Sequence, residues 1–154
     1  MKRLIFDYYI FIDYSENLLG YMIVDKDKIE QFLPKISRFA HYKTLKCKSK
    51  YLQSIKVRIK KDKIKEDLLK LKIRNVRETP EIYADLVEFI HNHGNCLIFI
   101  SVDNKQYSNF ERLVNNVDGC GSTIVRESQL KKDSKEYKMS LVLDTLLNIE
   151  RLNC

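Results

Sequence analysis

Apolar positions along this chain follow two spacings, and the changes between them outline its elements. Tyr8-Tyr9-Ile10-Phe11-Ile12 is a short aromatic and β-branched run ending at Asp13. After a turn at Ser15-Glu16-Asn17, Leu18 to Val24 returns as a second apolar run, so an antiparallel hairpin is predicted. Asp25 and Asp27 then open a helix over Ile29–Phe39, where Ile29, Phe32, Leu33, Ile36 and Phe39 recur at helical intervals. Pro34 falls inside it and interrupts its hydrogen bonding. Ser54 to Lys60 alternates strictly, with Ile55, Val57 and Ile59 against Lys56, Arg58 and Lys60. That pattern predicts a half-buried strand showing three cations in one row. A short helix over Lys63–Leu71 and a strand over Ile73–Val76 follow.

Thr79-Pro80-Glu81 joins a cap residue to proline at the first helical position, predicting a helix that runs to His93 and stops at Gly94. Cys96 to Val102 is continuously apolar, as in a strand buried on both faces. The pattern then predicts a helix over Tyr107–Val117, a turn at Asp118–Gly121 and a strand over Ser122–Arg126. A loop at Gln129–Ser134 and a closing helix over Lys138–Leu152 complete the chain. The expected fold class is α/β, a mixed sheet with an N-terminal antiparallel hairpin flanked by helices. The 154 residues fit one domain, with no internal repeat or linker.

Charge changes this picture in one place. Fourteen of the 28 Lys and Arg residues lie between Lys43 and Arg77, beside only Asp62, Glu66 and Asp67. The segment carries net +11 and the other 119 residues net −4, so the overall +7 is local. A confined basic block on a mildly acidic body suggests a polyanion partner, here nucleic acid, with Lys56, Arg58, Lys60, Lys61 and Lys63 as candidate contacts. A solvated lysine-rich surface would show the same charge. Tyr42, Tyr51 and His41 beside the block are of the kind that stacks on exposed bases. Nothing in the pattern distinguishes DNA from RNA.

Other classes find little support. The apolar runs Tyr8–Ile12 and Leu97–Ile100 are far too short to span a bilayer, so no membrane partner is expected. The basic start is interrupted by Asp7 and no small-residue cleavage site follows, so a cytoplasmic protein with reduced thiols is expected. Cys47, Cys96, Cys120 and Cys154 lack the close pairing of a structural zinc site. His91 to Cys96 reads as a helix end and turn rather than a chelating cluster. With four glycines there is no phosphate-cradling loop, and Cys120 has no recognisable His or Asp partner.

The candidate chemistry lies in aspartates. Asp13 and Asp103 each end an apolar strand, and ligands gather at the carboxyl ends of parallel strands. Asp144 interrupts the apolar stretch Leu141–Leu147 of the last helix, on a stripe with Ser140, Asn148 and Arg151 that a solvated face would also show. Converging carboxylates suit magnesium or manganese, and two such ions about 4 Å apart can drive phosphodiester cleavage. Taken singly, Asp13 and Asp103 also suit turns, where the side chain bonds its own backbone.

Three pieces together resemble the ribonuclease-H-like superfamily: Ile10–Ser15, Phe99–Asn104, and Asp133-Ser134-Lys135 through Asp144-Thr145-Leu146. The last piece is similar to an uncharacterised branch in which a Ser-Lys element precedes an Asp-bearing final helix. That branch opens Asp-Glu-Ser-Gly, where this chain has Asp13-Tyr14-Ser15-Glu16. The resemblance implies a ribonuclease-H-like fold and a metal-dependent nuclease binding magnesium or manganese through Asp13, Asp103 and Asp144. Glu127 is a further candidate ligand, and the family's helix-borne glutamate would correspond to Glu81 or Glu88. Two alternatives stay open. One is a non-catalytic nucleic-acid-binding or complex-assembly protein; the other is a PIN-like ribonuclease, whose opening strand Ile12–Ser15 also resembles. A PIN-like chain needs a helix straight after Asp13, where this sequence predicts a strand.

Overall fold

The structure is a computed structural model that describes residues 6–101, 108–114, 123–126 and 129–152. The predicted hairpin forms from β1 (Tyr8–Ser15) and β2 (Leu18–Asp25), joined at Glu16-Asn17 with Glu16 at a left-handed φ of 55°. Its strand after Asp13 excludes the PIN-like arrangement. Next come a short helical turn α1 (Ile29–Phe32), α2 (Lys48–Lys61), β3 (Lys70–Asn75) and α3 (Thr79–His93). Then follow β4 (Cys96–Ile100), a helix α4 over 108–114, β5 (Thr123–Arg126) and α5 (Lys135–Leu152). The sheet order is β3-β2-β1-β4-β5. The hairpin and β3 pair antiparallel, while β1, β4 and β5 run parallel, which is the expected mixed sheet.

Alternation along the central strands sends side chains to two cores. Tyr9, Phe11, Met22 and Val24 pack with α1, α2 and α5 on one face. Ile10, Ile12, Tyr21 and Ile23 pack with Ile82, Leu86 and Phe89 of α3 and Phe110 of α4 on the other. The result is three layers, helices on both faces of the sheet. Among the described residues no helix is long and apolar enough to cross a membrane.

Four expectations need correction. Ser54–Lys60 is not a strand but the middle of α2. Leu52, Ile55 and Ile59 are buried at helical spacing, and Val57, assigned to the buried face by alternation, is 65% exposed. Lys56 and Lys60 therefore sit one turn apart, and Arg58 lies about 200° around the helix from Lys56 rather than in a row with it. Lys63–Leu71 gives only a single 3-10 turn at Ile64–Asp67, because Leu69 onward is drawn into pairing with β2, where β3 begins at Lys70 rather than Ile73. The Ile29–Phe39 helix is cut short at Pro34, which opens a 3-10 turn at Leu33–Ile36. Of its predicted apolar set, Ile29, Phe32, Ile36 and Phe39 are buried and Leu33 is half-buried.

The closing helix starts at Lys135, three residues early, because the Ser134 hydroxyl accepts from the Tyr137 N–H at 3.2 Å and caps it. The parts of the predicted 107–117 helix beyond 108–114, the 118–121 turn, and residues 102 and 122 at the ends of predicted strands lie outside the described residues.

One glycine holds α5 close to the hairpin. Gly20 faces Asp13 across the β1–β2 ladder, and a Cβ there would sit 3.0 Å from both Ile73 Cγ1 and Leu147 Cδ2. Gly20→Ala is expected to cost about 1–3 kcal/mol by pushing these side chains apart. The check is a lowered urea midpoint at unchanged slope.

Candidate active site

Asp13 is the first residue of β1 beyond its parallel pairing with β4, whose last partners are Ile12 and Ile100. A Ser101 N–H to Ile12 carbonyl bond of 3.0 Å keeps the two chains together for one more step. Period-two alternation places Asp13 on the face of Tyr9 and Phe11, the α5 side. Tyr14 goes to the opposite side, where its hydroxyl meets that of Tyr83 on α3 at 3.4 Å.

Two contacts fix where α5 passes. Ser140 and Leu143 line a narrow slot together with Phe11 and Asp13. Eight residues after Ser140, the Asn148 side-chain oxygen accepts from the Ser15 hydroxyl at 3.1 Å. The helix thus runs along the end of β1, and Asp144 lies between those two contacts along it. Ser140, Asp144 and Asn148 are 6%, 8% and 4% exposed, so the stripe that could have been a solvated face is turned inward.

Each carboxylate has neighbours. Asp13 Oδ1 accepts the Tyr14 N–H at 2.8 Å, the local turn bond expected of an aspartate there. Asp144 Oδ2 accepts the backbone N–H of Tyr42 at 2.9 Å, and its Oδ1 lies 3.4 Å from Asn148 Nδ2. Arg151 donates to the Asn148 side-chain oxygen at 2.9 Å and to the Ser15 hydroxyl at 3.2 Å. Tyr51 anchors the same wall, its hydroxyl 2.7 Å from Thr145 Oγ1 and accepting from the Ala40 N–H at 2.9 Å. Burial pushes the Tyr51 phenol up from its ordinary value.

The predicted site residues separate into groups. Asp13 and α5, which carries Asp144, lie on the same side of the sheet; Asp103 and Glu127 lie outside the described residues. Glu81 is on the far face of the sheet in an ion pair with Lys72 at 2.7 Å, and Glu88 is exposed on the same helix, so neither joins Asp13 on the α5 side. His93 stacks on Phe89 with centroids 3.9 Å apart, consistent with a helix end. Among the described residues, no group of three or more His, Cys, Asp or Glu is placed to hold a metal ion.

Lys56, Lys60 and Lys63 line a cavity of about 440 Å³ floored by Ile59, Leu146 and Ile149. Arg58 and Lys61 are not part of its lining. Other cations, Lys43, Lys48 and Arg151, surround a cavity of about 540 Å³ that includes Ser15, Tyr42 and Asn148. Arg151 was legible as the fourth member of the Asp144 stripe, but nothing in the spacing marked that stripe as buried.

No family model and no curated protein matches the chain. Solved structures do. A crystal structure of ribonuclease H2 from Pyrococcus horikoshii OT3 superposes with a TM-score of 0.53 at 15% identity, covering 95% of this chain and 72% of that one. A chain in the PCNA:RNase HII complex from Archaeoglobus fulgidus gives 0.51 at 9% identity, over 95% of this chain and 71% of that one. At such identities the likeness concerns the backbone alone. The chain has the ribonuclease-H-like fold.

Proposed function

We propose that the chain is a metal-dependent nuclease cleaving phosphodiester bonds in nucleic acid. What supports this reading is that Asp13, just beyond the end of the β1–β4 parallel pairing, lies on the side of the sheet covered by α5. That helix carries Asp144 and meets the Asp13 slot at Ser140 and Ser15 at Asn148. The donor chemistry fits magnesium or manganese, because each carboxylate oxygen that accepts one N–H keeps a second lone pair for a cation. Magnesium is commonly held by one or two carboxylates with the substrate's own phosphates completing its shell. Asp103 and Glu127 are proposed as the remaining ligands.

A cation bound there supplies charge stabilisation at the phosphoryl oxygens and a more acidic water. The chain's own residues do the rest. Asp13 and Asp144 present fixed negative charge, the Tyr42 N–H and the Asn148 amide hold the Asp144 carboxylate in place, and the basic segment meets the phosphate backbone. Incubating labelled RNA, DNA and RNA–DNA hybrid with the protein tests the reading. Cleavage is expected with magnesium or manganese and none with excess chelator; cleavage that survives the chelator, or none under any condition, rejects it.

A second reading has one observation in its favour. Both Asp144 oxygens have N–H neighbours, and Asn148, one of them, is itself held by Arg151 one turn further on, as in a carboxylate kept for structure. Under that reading the chain binds nucleic acid without cutting it, with steep salt dependence and no need for divalent ions.

A further inference from the structure

A cavity joined to Asp144 through Tyr42 and Asn148 lies between the hairpin turn, the segment following His41 and the last turn of α5. Lys43, Lys48 and Arg151 line it against a single carboxylate, Glu16. Lys48 Nζ lies 5.7 Å from the centroid of the Tyr42 ring, and the Arg151 guanidinium carbon lies 5.9 Å from it. Two cations are thus gathered around one ring, and an anion entering the cavity would meet both. Arg151 is also braced by Ser15 and Asn148, which holds its planar fork in place.

The start of α2 adds to this field. Lys48 is its first residue, no side chain caps that end and its first turn holds no acid, so the positive end of the helix is uncompensated. Finally, the Tyr42 backbone N–H is the group bonded to Asp144. The cationic cavity and the carboxylate are therefore built on one residue.

We infer that this cavity is a phosphate subsite for the backbone of a nucleic-acid strand, next to the bond cleaved at the carboxylates. Lys43, Lys48 and Arg151 take the phosphate oxygens. Tyr42 is a positioning residue that holds two of these cations and orients Asp144. This deepens the nuclease reading and rests on it for the partner.

The test is anisotropy of a short fluorescein-labelled oligonucleotide in chelator, where nothing is cleaved. Lys43 and Lys48 are exposed, so their double alanine variant keeps the fold. It is expected to weaken binding about tenfold and to reduce the salt slope by about 1.4, the release from two single-strand phosphates. Removing the same charge at exposed Lys131 and Lys132 is expected to change affinity less than about twofold. Equal losses from the two pairs would mean diffuse charge attraction and overturn the subsite.

Tyr42→Phe should bind as the unaltered chain does, whereas Tyr42→Leu should lose several-fold; wild-type binding by Tyr42→Leu removes the positioning role. Removing the oligonucleotide's terminal phosphate should change nothing, and replacing its internal phosphates with neutral methylphosphonates should abolish the difference between the protein variants. The opposite result on either arm overturns the backbone assignment. Binding of this kind without cleavage in any metal rejects the nuclease reading and keeps the subsite. Metal-dependent cleavage at unaltered KM by the double lysine variant does the reverse.

Discussion

Asp13→Asn and Asp144→Asn are each expected to lower metal-dependent cleavage by roughly a hundredfold or more, since even outer-shell changes around a metal cost 10–100-fold. Asparagine keeps the shape and one acceptor oxygen while removing the charge that attracts a cation. At position 13 that oxygen still accepts the Tyr14 N–H, so this local bond is kept. At position 144 it still accepts the Tyr42 N–H, but the new amide meets the Asn148 amide, for about 1 kcal/mol and a fall of roughly 2–4 °C in Tm. Asp144→Ala separates the two roles further. It leaves the Tyr42 N–H without its acceptor in a buried place, for about 1–3 kcal/mol. Activity loss at near-native Tm in both asparagine variants supports chemistry by these carboxylates. If Asp144→Asn cleaves normally while Asp144→Ala melts early, Asp144 is a structural acceptor and the nuclease reading loses one of its two described ligands.

The fold was legible wherever one signal dominated. The hairpin could be read because Tyr8–Ile12 and Leu18–Val24 are separated by a short polar turn, and α3 because proline opens it and Gly94 closes it. The basic segment was misread because two periods overlap in it. Ile55 and Ile59 satisfy both alternation and helical spacing, and Val57 completes a strand pattern that the structure does not use. Leu52, three residues before Ile55, was the discriminating position, since it extends the helical series outside the alternating stretch.

The site was half legible for a related reason. Asp13 could be singled out because it ends an apolar strand, the end at which ligands gather in parallel sheets. Asp144 sits in a helix buried continuously from Met139 to Asn148, and a helix enclosed on all sides offers no apolar–polar contrast from which to choose a facing side. Only the tertiary contacts of Ser140 with the Asp13 slot and of Asn148 with Ser15 decide it. Arg151 acquires its role by the same route, three residues beyond Asn148 and donating back to it.

The helical reading of the basic segment makes a prediction that the strand reading cannot share. Ile55 is 2% exposed in the core shared by α2 and α5, whereas Val57 is 65% exposed. Ile55→Ala is expected to cost about 2–5 kcal/mol, through lost transfer energy and the cavity left behind, and to lower Tm by roughly 10 °C. Val57→Ala should stay within about 0.5 kcal/mol, since it removes an exposed β-branched side chain from a helix. A strand with Ile55, Val57 and Ile59 on its buried face requires comparable losses from both. Thermal melts of the two variants decide between them. The result reaches the site as well, because α2 carries Lys48 at its first turn and rests on the helix that holds Asp144. An Ile55→Ala variant that melts early should also bind the labelled oligonucleotide more weakly, without any change to a charged residue.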